Sequence, residues 1–136
     1  MRAVVRSVHM HISFRTMALL VLSASTVFAQ TAAPARSDGF APFWLRFRDA
    51  VARNSEPDVR GMTRLPFLFE SKPHDAGGFP RVYAALFDAP ARECLTKASP
   101  TPEQGMYMAF CGPTIFVFGR EGEEWKLTEF AADPEQ

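Results

Sequence analysis

The chain is poor in the residues that usually announce chemistry. Of its 136 residues only three are histidine, two cysteine and two tyrosine. His9 and His11 fall in an N-terminal segment read below as cleaved, which leaves His74 alone, and one imidazole cannot make a two-histidine metal site. The two cysteines, Cys94 and Cys111, lack the close C-x-x-C spacing of a redox-active pair. Basic residues are scattered singly, without the basic face and interleaved aromatics of a nucleic-acid binder. The sequence therefore indicates no metal, no cofactor and no nucleic-acid partner.

A composition of 47% hydrophobic and 22% charged residues is that of one globular domain. Its start has another character. Arg2, Arg6 and Arg15 precede a short apolar run, Met17 to Phe28, which ends in Val27-Phe28-Ala29 and is followed by an Ala- and Pro-rich stretch. This is the pattern of a secretory signal peptide over residues 1–29, with a flexible leader over 30–37 and a single domain over 38–136. The apolar run is well short of the ~20 residues that cross a bilayer as a helix, and no cysteine marks the cleavage point for a lipid. The expected location is periplasmic or extracellular, with no membrane attachment after cleavage. Cleavage would remove three arginines and no acidic residue, leaving 12 basic against 15 acidic groups, a net charge of −3.

Within the domain, Phe40, Phe43, Trp44, Phe47, Ala50 and Val51 recur at three- and four-residue spacing, which predicts an amphipathic helix with an aromatic face. Pro42 suits its first turn, Asn54 a left-handed stop, and Asp49 and Arg53 a solvated pair. Ser55-Glu56-Pro57-Asp58 reads as a capping box opening a second helix that Gly61 ends. Leu65 to Phe69 reads as a strand that either lies at an edge or is entered at Pro66, which has no amide to donate, and Ser71 to Gly78 as a loop. Phe79, Val82, Tyr83, Leu86 and Phe87 predict a third helix starting at Gly78 or Phe79; Asp88-Ala89-Pro90 caps a fourth, through Lys97. Past the prolines at 100 and 102, Met106 to Phe130 holds three alternating runs separated by Gly112-Pro113 and by Gly119 to Glu123. That is an antiparallel meander, with the first two strands apolar on both faces and expected to be covered on both. In an oxidising compartment, Cys94 and Cys111 are expected to form a disulfide joining the fourth helix to the first strand of the meander.

This order, with the segments FWLRFRDAV, MTRLPFLF, FCGPTIFVF and EEWKLTEF, resembles small secreted proteins of the nuclear transport factor 2-like superfamily. The resemblance implies an α+β cone, with N-terminal helices packed on a curved antiparallel sheet that ends in the meander, and an apolar pocket. It makes Trp44, Phe47, Phe67, Phe69, Tyr83, Tyr107, Phe116, Phe118 and Glu129 candidates for its lining. No reaction follows from the resemblance, since function lives in the site. The first reading is a non-catalytic exported domain that binds a small apolar molecule or a protein partner. A second is an isomerase- or dehydratase-like enzyme using Glu129 with Tyr107 or Tyr83, and a third is a module that dimerises through its sheet.

Overall fold

The computed structural model describes residues 37–132. The expected signal peptide, and the leader up to Arg36, lie outside the described residues. The elements run α1 (Phe40–Ala52), α2 (Glu56–Gly61), β1 (Phe67–Phe69), β2 (Lys72–His74), α3 (Phe79–Leu86), α4 (Ala89–Lys97), β3 (Thr101–Glu103), β4 (Met106–Cys111), β5 (Thr114–Glu121) and β6 (Glu124–Ala132). The class is α+β, as the periodicities predict.

The helices begin and end where local chemistry asks. In α1 the six residues of the predicted stripe, Phe40 to Val51, are all buried. Asn54 follows it in the left-handed region at φ 51°. Helix α4 is capped by Asp88, whose Oδ1 accepts the Ala91 amide at 2.9 Å, with Pro90 in the first turn where no amide partner is lost. The expected capping box at α2 does not form. Ser55 Oγ instead donates to the Asp58 carboxylate at 2.7 Å, and Arg53 draws that carboxylate and Asp49 together, so the hydroxyl serves a side chain and not the helix backbone.

Two strands escape the sequence reading. The first half of the expected loop, Lys72 to His74, pairs antiparallel with β1. Its turn is Glu70-Ser71, both at positive φ (50° and 62°), a conformation that Gly or Asn normally supplies, so the sequence carries no hairpin signal there. Likewise Thr101–Glu103 pairs with β4 across Gln104-Gly105, which makes the meander a four-stranded antiparallel sheet in the order β3-β4-β5-β6. Pro102 is tolerated because β3 is an edge. The last turn is tighter than expected: β5 continues through Glu121, and only Gly122 and Glu123 turn the chain. Beyond β6, Thr63 bridges Leu127 in parallel, with Leu127 donating to Met62 and Arg64 to Leu127, both at 2.9 Å.

The disulfide forms between Cys94 and Cys111, with Cα atoms 5.6 Å apart. It holds α4 beside β4 where β3 has already ended, and the Cys94 sulfur lies 3.5 Å from the Phe110 carbonyl oxygen. The uncovered part of that edge is thereby shielded, which an open ladder requires.

The core lies on one side of the sheet. Phe118, fully buried, touches the rings of Phe40, Phe43, Trp44 and Phe47, all from α1, at centroid distances of 5.0 to 6.0 Å. Phe116 meets Phe87, and Phe130 meets Phe67 and Phe69 of the hairpin. The expectation that β4 and β5 are covered on both faces fails. Tyr107, Ala109, Cys111, Phe116 and Phe118 belong to or pack on the core cluster, whereas Met106, Met108, Phe110 and Ile115 do not, and of the outward residues only Val117 is itself buried.

Candidate functional site

Two surfaces combine chemistry with position: a polar clasp at the start of α1, and the outer face of the sheet. The clasp is built around Asp38. Its Oδ1 accepts the Phe40 amide at 2.9 Å, which caps α1 in place of the residue next to the helix, Gly39, which has no side chain to do so. Its Oδ2 accepts the Tyr107 hydroxyl at 2.7 Å. Its carbonyl oxygen accepts the Trp125 indole at 2.9 Å and the Arg120 guanidinium, which also lies 5.0 Å over the Trp125 ring. Phe40 stacks on Tyr107 with centroids 3.6 Å apart. One residue thus fastens the first helix to β4, β5 and β6.

The Phe40 amide, then the Tyr107 hydroxyl and the Arg120 charge, hold the Asp38 carboxyl below the usual carboxylate range. The same bond raises the Tyr107 phenol, since losing its proton would set two negative groups together. A depressed folded carboxyl stabilises the protein above its unfolded value, near pH 4, and that contribution is lost as pH falls through the lower folded value. Glu93, lowered by Lys97, adds to the same acid limb. The thermal midpoint is expected to fall on acidification below about pH 4, and Asp38→Asn is expected to flatten that fall. An unchanged acid limb in thermal melts of this variant would count against the clasp as a stabilising device.

The other expected site residues are dispersed. Tyr83 is buried in the core, and its hydroxyl donates to Asn54 Oδ1 at 3.0 Å. Burial raises its phenol, with Arg92 opposing and Glu56 assisting. One buried oxygen of Glu56, Oε1, has no hydrogen bond and lies 3.4 Å from Arg60, an ion pair looser than a bond. Trp44, Phe47, Phe67, Phe116 and Phe118 are buried in the core cluster, and Phe69 packs against it. These aromatic rings fill the space that was expected to be a pocket. Glu129 is exposed on the outer face, opposite Val117, whereas Tyr107 pairs with Phe118 on the inner face. The proposed Glu129–Tyr107 pair does not form, because neighbouring strand residues point to opposite faces and Val117 and Phe118 are neighbours. Open clefts exist elsewhere, such as one of about 430 Å³ between α1 and α2. Of its charged walls, Asp49, Arg53 and Asp58 are already paired with one another, and Arg46 also lines it. Among the described residues no cluster of three or more His, Cys, Asp or Glu could hold a metal ion.

The outer face is ordered in three rows by the strand register. Glu103, Met106, Gly119 and Lys126 form the first, Thr101, Met108, Val117 and Glu129 the second, and Phe110, Ile115 and Ala131 the third. Phe110 is 52% exposed although it lies in the second strand of the sheet. A bulge at Thr128 sends that hydroxyl to the Val117 carbonyl at 3.2 Å and fills the space over Gly119, where an added Cβ would meet Thr128 Cγ2 at 3.1 Å. No family model, curated protein or solved structure matches the chain. The reading of function therefore rests on these two surfaces. Sequence reasoning missed the clasp, whose Asp38 and Tyr107 are 69 residues apart, and offered a sheet surface without telling which apolar residues form it, because the outer positions look like core.

Proposed function

We propose that the chain is an exported, non-catalytic domain of nuclear transport factor 2-like type that binds a protein partner through the outer face of its sheet. The exposure of Phe110 carries this reading, since it is flanked by Met108 and Ile115, none of the three belongs to the core cluster, and apolar surface that is not core favours association. A small apolar ligand has less support, because the aromatic residues meant to line its pocket fill the core. An isomerase-like reaction has less still, because Glu129 and Tyr107 lie on opposite faces. Export is supported by the disulfide.

Native mass spectrometry of the protein recovered from its own compartment tests the reading. The expected result is a chain beginning at Gln30 in complex with a polypeptide, and the complex is lost in Phe110→Lys but kept in Leu45→Lys, a control at an equally exposed leucine on α1 (55% exposed). A retained small molecule with no polypeptide, or a complex indifferent to Phe110→Lys, would refute it.

A further inference from the structure

We infer that the Cys94–Cys111 bridge is a site of thiol exchange, at which an external thiol enters a cleft over the bond, attacks the Cys94 sulfur and stays on it as a mixed disulfide. This goes beyond the protein-binding reading and does not depend on it. The cleft, of about 260 Å³, opens between the corner of α3 and α4 and the turn of β4 and β5, and both cysteines line it. Cys111 is buried, only 4% exposed, whereas Cys94 is partly exposed, so the sulfur on α4 is the one a reagent reaches. Access, and the choice of sulfur attacked, govern the rate of such exchange. The other walls suit a thiol carried on an uncharged or apolar segment. Leu86, Pro90, Ala91 and Pro113 supply them, and the one charged lining residue is Asp88, whose carboxylate already accepts the Ala91 amide at 2.9 Å.

In the exchange a thiolate bonds to Cys94 Sγ as the bond between the cysteines breaks. Cys111 leaves with the electron pair and takes a proton from water. A second thiol, attacking the reagent's sulfur in the mixed disulfide, completes reduction to two cysteine thiols while the reagent is oxidised to its own disulfide. The pair is the substrate here and not the catalyst, so the C-x-x-C spacing that it lacks is not required.

The fold tolerates the step. Helix α4 stays attached through Leu95, fully buried, and through Arg92, which donates to the Phe87 carbonyl at 2.7 Å. What changes is local. Strand β3 ends at the pair Thr101–Met108, so Ala109 to Cys111 have no β3 partner on that edge, and the Cys94 sulfur lies 3.5 Å from the Phe110 carbonyl oxygen there. A reversible cap on Cys94 therefore decides whether the edge beside Phe110 is tethered to α4 or open.

Mass mapping of the folded protein after exchange with glutathione, and separately with an uncharged peptide carrying one cysteine, provides the test. Reactions are stopped with acid and the freed thiol is alkylated; cleavage after Lys97 separates the two cysteines. The expected product carries the reagent on Cys94 and the alkyl group on Cys111, with the reverse product absent, whereas in unfolding urea both cysteines carry the reagent. The peptide is expected to react faster than the anionic glutathione, and the faster of the two identifies the source of the thiol as a polypeptide or a small molecule. Asp88→Asn keeps a side chain able to cap α4 and removes the charge of the cleft. It is expected to speed glutathione roughly twofold to fivefold at low salt and to leave the peptide's rate unchanged. Urea below the unfolding transition is expected to leave both rates unchanged, since the native state is the one that reacts. Reagent on Cys111 as often as on Cys94 in the folded chain, no reaction with either thiol, or a rate that climbs from the first addition of urea overturns the inference. A glutathione rate indifferent to Asp88→Asn overturns entry through the cleft, and the inference with it.

Discussion

Reduction of the Cys94–Cys111 bridge is expected to lower the stability of the domain by about 3 kcal/mol while leaving it folded. The bridge spans a sequence separation of 17, and closing a loop of that length removes conformational freedom mainly from the unfolded chain. In urea the midpoint should drop by roughly 2 M for a domain of this size, and in heat by roughly 12–24 °C. The native state should survive because α4 is also held by Leu95, fully buried in the core, and by Arg92, which donates to the Phe87 carbonyl at 2.7 Å. A second consequence is colloidal. With α4 no longer tethered, the end of β4 beyond β3 loses its shield, and an open strand edge invites pairing with other chains. Equal unfolding midpoints with and without reductant would refute the mechanical role of the bridge. The pair Cys94→Ser with Cys111→Ala should reproduce the reduced protein, since alanine avoids placing a hydroxyl at the buried position 111.

How far the fold could be read ahead of its structure depended on the range of the interactions. The stripe of α1, the Asp88 cap, the Gly112-Pro113 turn and the cysteine bridge are either local or forced by a count of two, and each stands where residue spacing puts it. The hairpin β1–β2 was hidden because Glu70 and Ser71 adopt the left-handed conformation without being residues that favour it. Strand β3 was hidden behind prolines that normally stop ladders but are harmless at an edge. The candidate surfaces were less legible still. Alternation shows that Met106, Met108 and Phe110 share a face, yet nothing in a run of apolar residues on both faces tells which one the helices will cover. That is settled by α1, more than fifty positions earlier, whose aromatic stripe chooses the face of Phe116 and Phe118. Asp38 was read as no more than the start of a domain, and its role depends on Tyr107, Arg120 and Trp125 arriving from three different strands.

Phe118→Ala is expected to cost the domain about 3–5 kcal/mol, the range for truncating a buried phenylalanine, and with it most of the margin of a small protein. Its ring is the one surface of β5 on which four aromatic side chains of α1 converge, the nearest being Phe47 at 5.0 Å in an edge-on arrangement. Truncation leaves a void bounded by α1 on one side and by β5 on the other. The sheet's hydrogen-bonded ladder prevents β5 from moving inward, and α1 is held in place at its start by the Asp38 clasp, so little of the void can collapse. Phe110→Ala, by contrast, removes an equal ring from the exposed face and is expected to change stability by less than about 1 kcal/mol. The comparison separates the two faces thermodynamically: in urea unfolding, the inner substitution should shift the midpoint strongly and the outer one hardly at all. Were the inner aromatics instead the walls of a ligand pocket, Phe118 would already border open space, its truncation would add little void, and the two variants would unfold at similar concentrations. A large gap between them identifies the aromatic interior as packing and leaves the outer face as the part of the molecule free to bind.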